Sequence, residues 1–494
     1  MRSAVESFLE RSRAAVQDPF LQTALDRATS RLKAARATAF ASLPDADAVR
    51  DRAKAIKGET IAHLDHYLAR LAEQVERAGG RVHWAADSDE ARQIVLRLAR
   101  EKGVRSIVKS KSMASEEIHI NAALEAAGFR VAETDLGEYI VQVAKETPSH
   151  IIAPAIHKTK EQIAELFSGV AGRELPPDPE GLTAWAREKL RQEFIQADMG
   201  ISGANFAVAE TGTIVIVTNE GNGRLVTTMP RIHVAMMGME KVIPTLADLP
   251  VFLEVLARSA TGQKMSVYTT LVRGPRRPGE VDGPDELHLV IMDNGRRGAL
   301  GTGLEESLQC LRCGSCLNVC PVYGEAGGHA YGAVYPGPIG IVVGAYIGGH
   351  GHTQNLGAAS TLCSACLDAC PVRIDIPRML LELREAAQKK GEVPWAERQA
   401  FRLAARVLAS PALYRMAVAA GRKFLAPFMR KGRVERLPGK LAGWTRFRTL
   451  PPIAKKTFRE RWREIEKATA SPGGPSGRAA AGAAEGPDGG DARG

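Results

Sequence analysis

What is scarce in this chain of 494 residues excludes several classes of protein at once. Cysteine is missing everywhere except between Cys310 and Cys370, where all seven lie in two tight groups. An odd number so arranged is no disulfide framework; it indicates a metal site in a reducing compartment, with the cytoplasm as the default location. Long apolar runs are missing as well. The most apolar stretch, GPIGIVVGAYIGG at 337–349, is short and glycine-rich beside the roughly 20 apolar residues that span a bilayer. The start, MRSAVESFLERSRAAVQ, lacks the continuous apolar core of a secretory signal. The expectation is a soluble protein, at most peripheral to a membrane.

No G-x-G-x-x-G opens a helix after a strand. Neither Gly221-Asn222-Gly223-Arg224 nor Gly337-x2-Gly340-x3-Gly344 fits that pattern, which argues against a self-contained nicotinamide or flavin dehydrogenase. The net charge of +10 is concentrated: residues 395–467 hold 19 Lys and Arg against 5 Asp and Glu. No stacking-aromatic or groove-reading motif accompanies this charge, so nucleic acid is not the expected partner. An acidic protein or an anionic membrane surface would suit it, and a solvated helix face is the plainer reading.

Five regions follow from the patterning. Residues 1–78 are charged, Ala-rich and helically spaced, a helical lead-in. From 79 to 300, short runs such as RVHW, SIVKS, FRVAET, FAVAETGTIVIVT, RIHVAMMG, MSVYTTLV and ELHLVIMD read as strands, with amphipathic helices such as DEARQIVLRLAREKG between some of them. This alternation predicts an α/β domain, and a hairpin around Glu210-Thr211-Gly212 predicts a mixed sheet. Residues 301–385 hold the cysteines and a glycine-rich insert. Residues 386–467 are basic helices broken by Pro411, Pro427, Pro438, Pro451 and Pro452. Residues 468–494 cannot bury enough apolar surface to order and are expected to be a disordered tail.

The cysteines carry the sharpest chemistry. Cys310-x2-Cys313-x2-Cys316-x3-Cys320-Pro321 has the spacing of a bacterial iron-sulfur run, in which three close thiolates hold one cluster and the fourth serves another. Cys363-x2-Cys366-x3-Cys370-Pro371 repeats it with Ser360 in place of the first cysteine. Crossed ligation assigns Cys310, Cys313, Cys316 and Cys370 to a [4Fe-4S] cluster, and Cys320, Cys363 and Cys366 to a second, [4Fe-4S] or [3Fe-4S]. A pair of zinc ribbons is the alternative, but zinc gives no reason for two Cys-x3-Cys-Pro endings. The open corner is left to Ser360 oxygen, to His350 or His352, to an outside ligand, or to nothing. Ser360 is a hard donor in a soft set, and capping the loop is its plainer role. His329, in the same insert, reads as an ordinary loop histidine.

In the α/β region, Lys109, Ser110, Lys111 and Ser112 follow a strand, where such sheets bind ligands, and two lysines with hydroxyls suit a carboxylate or phosphate. The flexible loop Glu220, Gly221, Asn222, Gly223 and Arg224 could approach an anion through backbone N–H groups. His119, His157 and His233 read as structural histidines.

Together with VKSKSM (108–113), TDLGEYI (134–140), PSHIIAPAIHKT (148–159), GANFAVAETGTIVIVTNEGNGRLVTT (203–228), GPRRPGEVDGP (274–284) and GGHAYGAVYPGPIG (327–340), the cysteine segment resembles the lactate-utilisation iron-sulfur protein family, the B component of a three-part L-lactate oxidation system. The likeness runs from about residue 20 to 466. It implies a lactate-utilisation domain similar in fold to sugar-phosphate isomerases and CoA transferases, followed by an α-helical ferredoxin domain. It also implies two partners, one a cysteine-rich iron-sulfur protein and one a second protein with the same α/β domain. In that family a non-cysteine residue at the Ser360 position is common. An electron-transfer subunit is the favoured reading; a catalytic subunit binding a 2-hydroxy acid and a regulatory iron-sulfur sensor are the alternatives.

Overall fold

Short Val- and Ile-rich segments separated by amphipathic helices build the centre of the molecule. In the computed structural model, which describes residues 4–347, 356–430, 432–445, 448–451, 454 and 456–470, they are β1 (Arg81–Ala85), β2 (Ser106–Lys109), β3 (Arg130–Glu133), β4 (Met199–Gly203), β5 (Phe206–Val208), β6 (Thr213–Thr218), β7 (Ile232–Gly238), β8 (Val242–Ile243), β9 (Tyr268–Val272) and β10 (Glu286–Met292). Six form one sheet in the order β1-β10-β7-β4-β2-β3, with every neighbouring pair parallel. The predicted hairpin does not join it. β5 and β6 pair antiparallel in a second sheet, β8-β5-β6-β9, so the mixed pairing is confined to four short strands. Gly212 at the hairpin tip has φ +71°, and a Cβ there would lie 2.6 Å from the backbone of Gln74. Only glycine lets the tip come that close.

The large sheet is covered on both faces, which is why β7 is buried along its whole length. Its side chains alternate: Val234 and Met236 enter a core with Ile94, Val95 and Leu98 of the helix Ser88–Glu101, while Ala235 and Met237 enter the core on the other side. That helix begins where Asp87 accepts the Glu90 N–H at 2.9 Å. β4 has no counterpart among the sequence-based strands. Its segment, Met-Gly-Ile-Ser-Gly, looks too glycine-rich, yet a Cβ on Gly200 would overlap the Val226 carbonyl oxygen of the helix Asn222–Thr228. The glycine marks close approach of two backbones inside a strand.

Two buried histidines, His233 and His288, lie on the adjacent strands β7 and β10. His233 on β7 shares a 2.8 Å hydrogen bond with Ser202, and burial, then His288, holds its pKa down to about 3. Its neutral form is therefore the native one, and the stability it contributes is complete above an ordinary histidine pKa of about 6.5 and is lost as pH falls through the acid range. Between pH 7 and 4.5 the protein is expected to lose on the order of 2 kcal/mol more stability than a His233→Asn variant. Parallel slopes of melting temperature against pH would refute this.

The N-terminal helices α1 (Ala4–Gln17), α2 (Pro19–Ala41), α3 (Ala46–Ala62) and α4 (Leu64–Arg77) are more than a lead-in. Leu25, Ala53, Leu64, Leu68 and Val75 belong to the same core as Phe206, Tyr323 and Tyr331. Phe8 packs on Tyr331 with ring centres 5.1 Å apart, and Arg11 donates to the Ala330 carbonyl at 2.8 Å. Arg50 on α3 donates at 2.8 Å to the carbonyls of both Asp368 and Cys370. Residues from the N-terminus through the cysteine segment thus form one compact unit, Met1–Glu392.

A second unit, Val393–Gly494, holds the helices Trp395–Ala409, Pro411–Leu425 and Phe458–Ala470. Among the described residues no single helix is long and apolar enough to cross a membrane. His350, His352 and the tail beyond residue 470 lie outside the described residues.

Candidate metal centre and adjoining cavity

The two cysteine segments repeat in three dimensions. Arg312 and Gly314 have φ +61° and +75°, and their counterparts Leu362 and Ser364 have +53° and +65°. These left-handed residues curl each loop and lead into the short helices Ser315–Asn318 and Ala365–Ala369. Pro321 then opens a new helix, Pro321–Ala326, and carries the chain away from Cys320. The repeat extends to the position that lacks a thiol: the Arg312 N–H donates to Cys310 Sγ at 3.4 Å, and the equivalent Leu362 N–H donates to Ser360 Oγ at 3.1 Å. Ser360 thus caps its loop through the same backbone contact that the sulfur makes in the first copy.

One cavity is lined by Cys310, Cys313, Cys316 and Cys370, with Ile339, Val372, Ile374 and Ile376 among its apolar walls. Three of these thiols come from the first segment and one from the second. Cys320, Cys363 and Cys366 lie outside that lining; Cys320 acts electrostatically on Cys366 and Cys363 on Cys320, and Cys366 also acts on Cys316. Burial first, and then the nearby sulfurs, push Cys313 up to about 11 and Cys370 up to about 12. Buried thiols that oppose one another's ionisation are poor company without a cation, and a bound metal reverses that balance. The Ile374 N–H donates to Cys370 Sγ at 3.3 Å, the kind of contact that tunes a thiolate ligand. Soft donors, an apolar wall and N–H groups aimed at sulfur suit an iron-sulfur cluster.

A second cavity, of about 330 Å³, opens at the carboxyl ends of the parallel strands, where sheets of this kind bind ligands. Ile151, Leu311 and Arg312 line both cavities, so the two share a wall. Of the residues singled out from sequence, Ser110, Lys111, Ser112, Glu220 and Asn222 line it. Lys111 donates to the Ile151 carbonyl. Lys109 does not reach the cavity. It is fully buried between Glu116 and Glu133, each at 2.7 Å, and although burial opposes its charge these carboxylates hold its pKa above the ordinary range. Gly221, Gly223 and Arg224 lie off the wall as well. They begin the helix Asn222–Thr228 instead of a loose loop, with Gly223 packed against Thr218 and Arg224 exposed.

Reasoning from sequence missed the charged floor. Arg296 is 1% exposed and donates to both oxygens of Glu117 at 2.8 Å and to Glu240 at 2.6 Å; Tyr335 donates to Glu117 at 2.8 Å. Burial works against Glu240, yet Arg296, Arg312 and Lys241 bring its pKa down to about 2. The remaining histidines have structural partners or none of note: His157 meets Glu146 at 2.6 Å, His329 meets the Thr147 carbonyl at 2.7 Å, and His119 is exposed at the start of a helix.

Residues 68–292 match the LUD domain, residues 306–374 the 4Fe-4S dicluster domain, and residues 382–467 the C-terminal region of lactate utilisation protein B. A lactate utilization protein B from Shouchella clausii is 44% identical over 461 residues, covering 93% of this chain and 97% of that one. The chain belongs to the lactate utilization protein B family. Another member, from Geobacillus kaustophilus, is 46% identical over 420 residues, 85% of this chain and 88% of its own. The Escherichia coli protein YkgF, described as an uncharacterized electron transport protein, is 41% identical over 459 residues, covering 93% and 97%. The cysteine segment of this family member is an iron-sulfur domain, and the sheet whose strand ends carry the second cavity is its LUD domain.

Proposed function

We propose that this chain is the iron-sulfur electron-transfer component of an L-lactate-oxidising complex. The observation that carries the reading is the single cavity walled by Cys310, Cys313, Cys316 and Cys370, drawn from both cysteine segments. In the proposed assignment these four hold a [4Fe-4S] cluster, and Cys320, Cys363 and Cys366 hold a second of the [4Fe-4S] or [3Fe-4S] type. Clusters of this kind supply one-electron transfer, which would divide the two electrons of lactate oxidation into single steps. The protein supplies the thiolates, the N–H groups that tune them and the apolar wall that excludes water. The descriptions given to its relatives, lactate utilization and electron transport, favour this role.

The proposed partners are a cysteine-rich iron-sulfur protein and a second LUD-domain protein, assembling in the cytoplasm. The C-terminal unit offers a docking face: its helices combine the basic excess of residues 395–467 with exposed Trp395, Phe401, Leu408 and Met416. An acidic partner or an anionic membrane surface would suit that combination.

Anaerobic electron paramagnetic resonance with lactate turnover tests the reading. The isolated chain is expected to show reducible clusters and little lactate oxidation, and to pass electrons to an artificial acceptor only when the partner proteins are added. Rapid oxidation of lactate by the isolated chain would refute a relay role. A signal in the oxidised state would identify a [3Fe-4S] cluster, whereas silence when oxidised and two interacting signals on reduction would identify two [4Fe-4S] clusters.

A further inference from the structure

Within the 330 Å³ cavity the positive charges are not equally committed. Arg296 is bound to Glu117 and Glu240, and Lys111 to a backbone carbonyl. Arg312 is 7% exposed and stacks at 4.4 Å over the Tyr335 ring, yet Nε, Nη1 and Nη2 have no hydrogen-bond partner among the described residues. Its nearest carboxylate oxygen is Glu240 Oε1 at 3.6 Å, beyond a good hydrogen bond and itself without a hydrogen-bond partner. Lys241, on the same wall, also has no hydrogen-bonded or ion-paired partner among the described residues. Burying a guanidinium with every N–H unmet is costly, and acceptors from a ligand would remove the cost.

We infer that this cavity is a binding site for an organic monocarboxylate, with the acid group received by the Arg312 guanidinium beside Lys241. Asp135, Glu220 and Glu240 also face the cavity, and their negative charge favours one anionic charge over the two of a phosphate. Glu220 is pushed up to about 7 by burial and then by Asp135, so near neutrality a share of it is protonated and can donate to a ligand oxygen. Ser110 and Asn222 supply further polar contacts, and Ile216, Val217, Met237 and Leu256 line the apolar side. A hydroxy or oxo acid with a small apolar body fits this lining. The volume exceeds a three-carbon acid and admits a longer chain or ordered water.

The site would place its ligand across the shared wall from the four thiols, since Leu311 and Arg312 belong to the loop between Cys310 and Cys313. Naming lactate and pyruvate as the first probes rests on the proposed function; the anion site itself does not. Calorimetric titration of the cluster-loaded full-length chain with L-lactate, pyruvate, phenylglyoxylate and inorganic phosphate tests it. At least one carboxylate is expected to bind and phosphate to bind weakly. Arg312→Gln and Lys241→Met should each weaken the carboxylate by at least about tenfold, the effect of losing one charge-assisted contact, while Arg224→Gln, off the wall, should not. Iron content is measured alongside, and Lys241→Met, outside the cysteine loop, decides the case if Arg312→Gln loses iron. No carboxylate binding at tens of millimolar, unchanged affinity in Lys241→Met, or tighter phosphate than carboxylate binding would overturn the inference. Carboxylate binding by a chain that relays no electrons would keep the site and remove only the proposed electron-transfer role.

Discussion

Replacing Cys370 with Ala is expected to remove the cluster proposed on Cys310, Cys313 and Cys316 and to leave the one proposed on Cys320, Cys363 and Cys366 in place. The reason is geometric. Cys370 lies far from those three along the chain but lines the same cavity, whereas its sequence neighbours Cys363 and Cys366 do not line it. About half of the iron and acid-labile sulfide should be lost, with the spectrum of one cluster surviving. Cys363→Ala should do the reverse, and its exposed position makes it the milder change to the fold. If Cys370→Ala instead spares the first segment's cluster and removes the second, each segment binds its own cluster and crossed ligation is wrong.

The largest effect on stability is expected at Arg296. Its guanidinium lies between Glu117 and Glu240, which are 2% and 1% exposed at the side chain. Arg296→Met would leave two buried carboxylates facing each other with one shared cation gone. Breaking such a pair costs about 3–5 kcal/mol because the remaining charge is buried and unpaired. The main thermal transition should fall by about 4–6 °C for a unit of this length. Glu117→Gln is the milder partner, since the amide still accepts from Arg296 but loses the charge. The exposed Arg77–Glu73 pair, 2.6 Å apart and more than half exposed on both sides, provides the control. Arg77→Ala should change stability by less than about 1 kcal/mol. A melting temperature in Arg296→Met within a degree or two of the parent would show that the network is not what holds this floor together.

Much of this architecture is legible in the sequence because local patterning reports local structure. The alternation of β7 reads directly as a buried strand, and the cysteine spacing reads as a cluster loop. What escaped depends on contacts between distant residues. Gly200 looks like a reason against a strand until the Val226 carbonyl is seen against it. Lys109 and Lys111 are indistinguishable as letters, but the first ends β2 and is captured by Glu133 on the neighbouring strand, while the second has passed the strand end and reaches the cavity. Arg312 is hidden in plain view as a spacer between two cysteines. Spacing motifs describe the residues that are counted and say nothing about the side chains between them. The helical period of α1–α4 reveals an apolar face but not its partner, some 300 residues away for Arg11 and Arg50.

That clasp has a temporal side. The helices carrying Arg11 and Arg50 leave the ribosome well before the segments they grip, Ala330 and Asp368–Cys370, are made. At about 5–20 residues per second, some tens of seconds separate them. During that interval Arg258 and Glu240 can already meet α2 and α3 through the Ala39 carbonyl and Lys57, but the contacts of Arg11 and Arg50 are unmet, and a loop this long is slow to close. Arg50 holds the carbonyl of Cys370, the thiol that completes the four-sulfur set, so the last thiol arrives as the clasp shuts. On the proposed ligand set, loading of a cluster and closure of this clasp would be coupled through the Cys370 carbonyl.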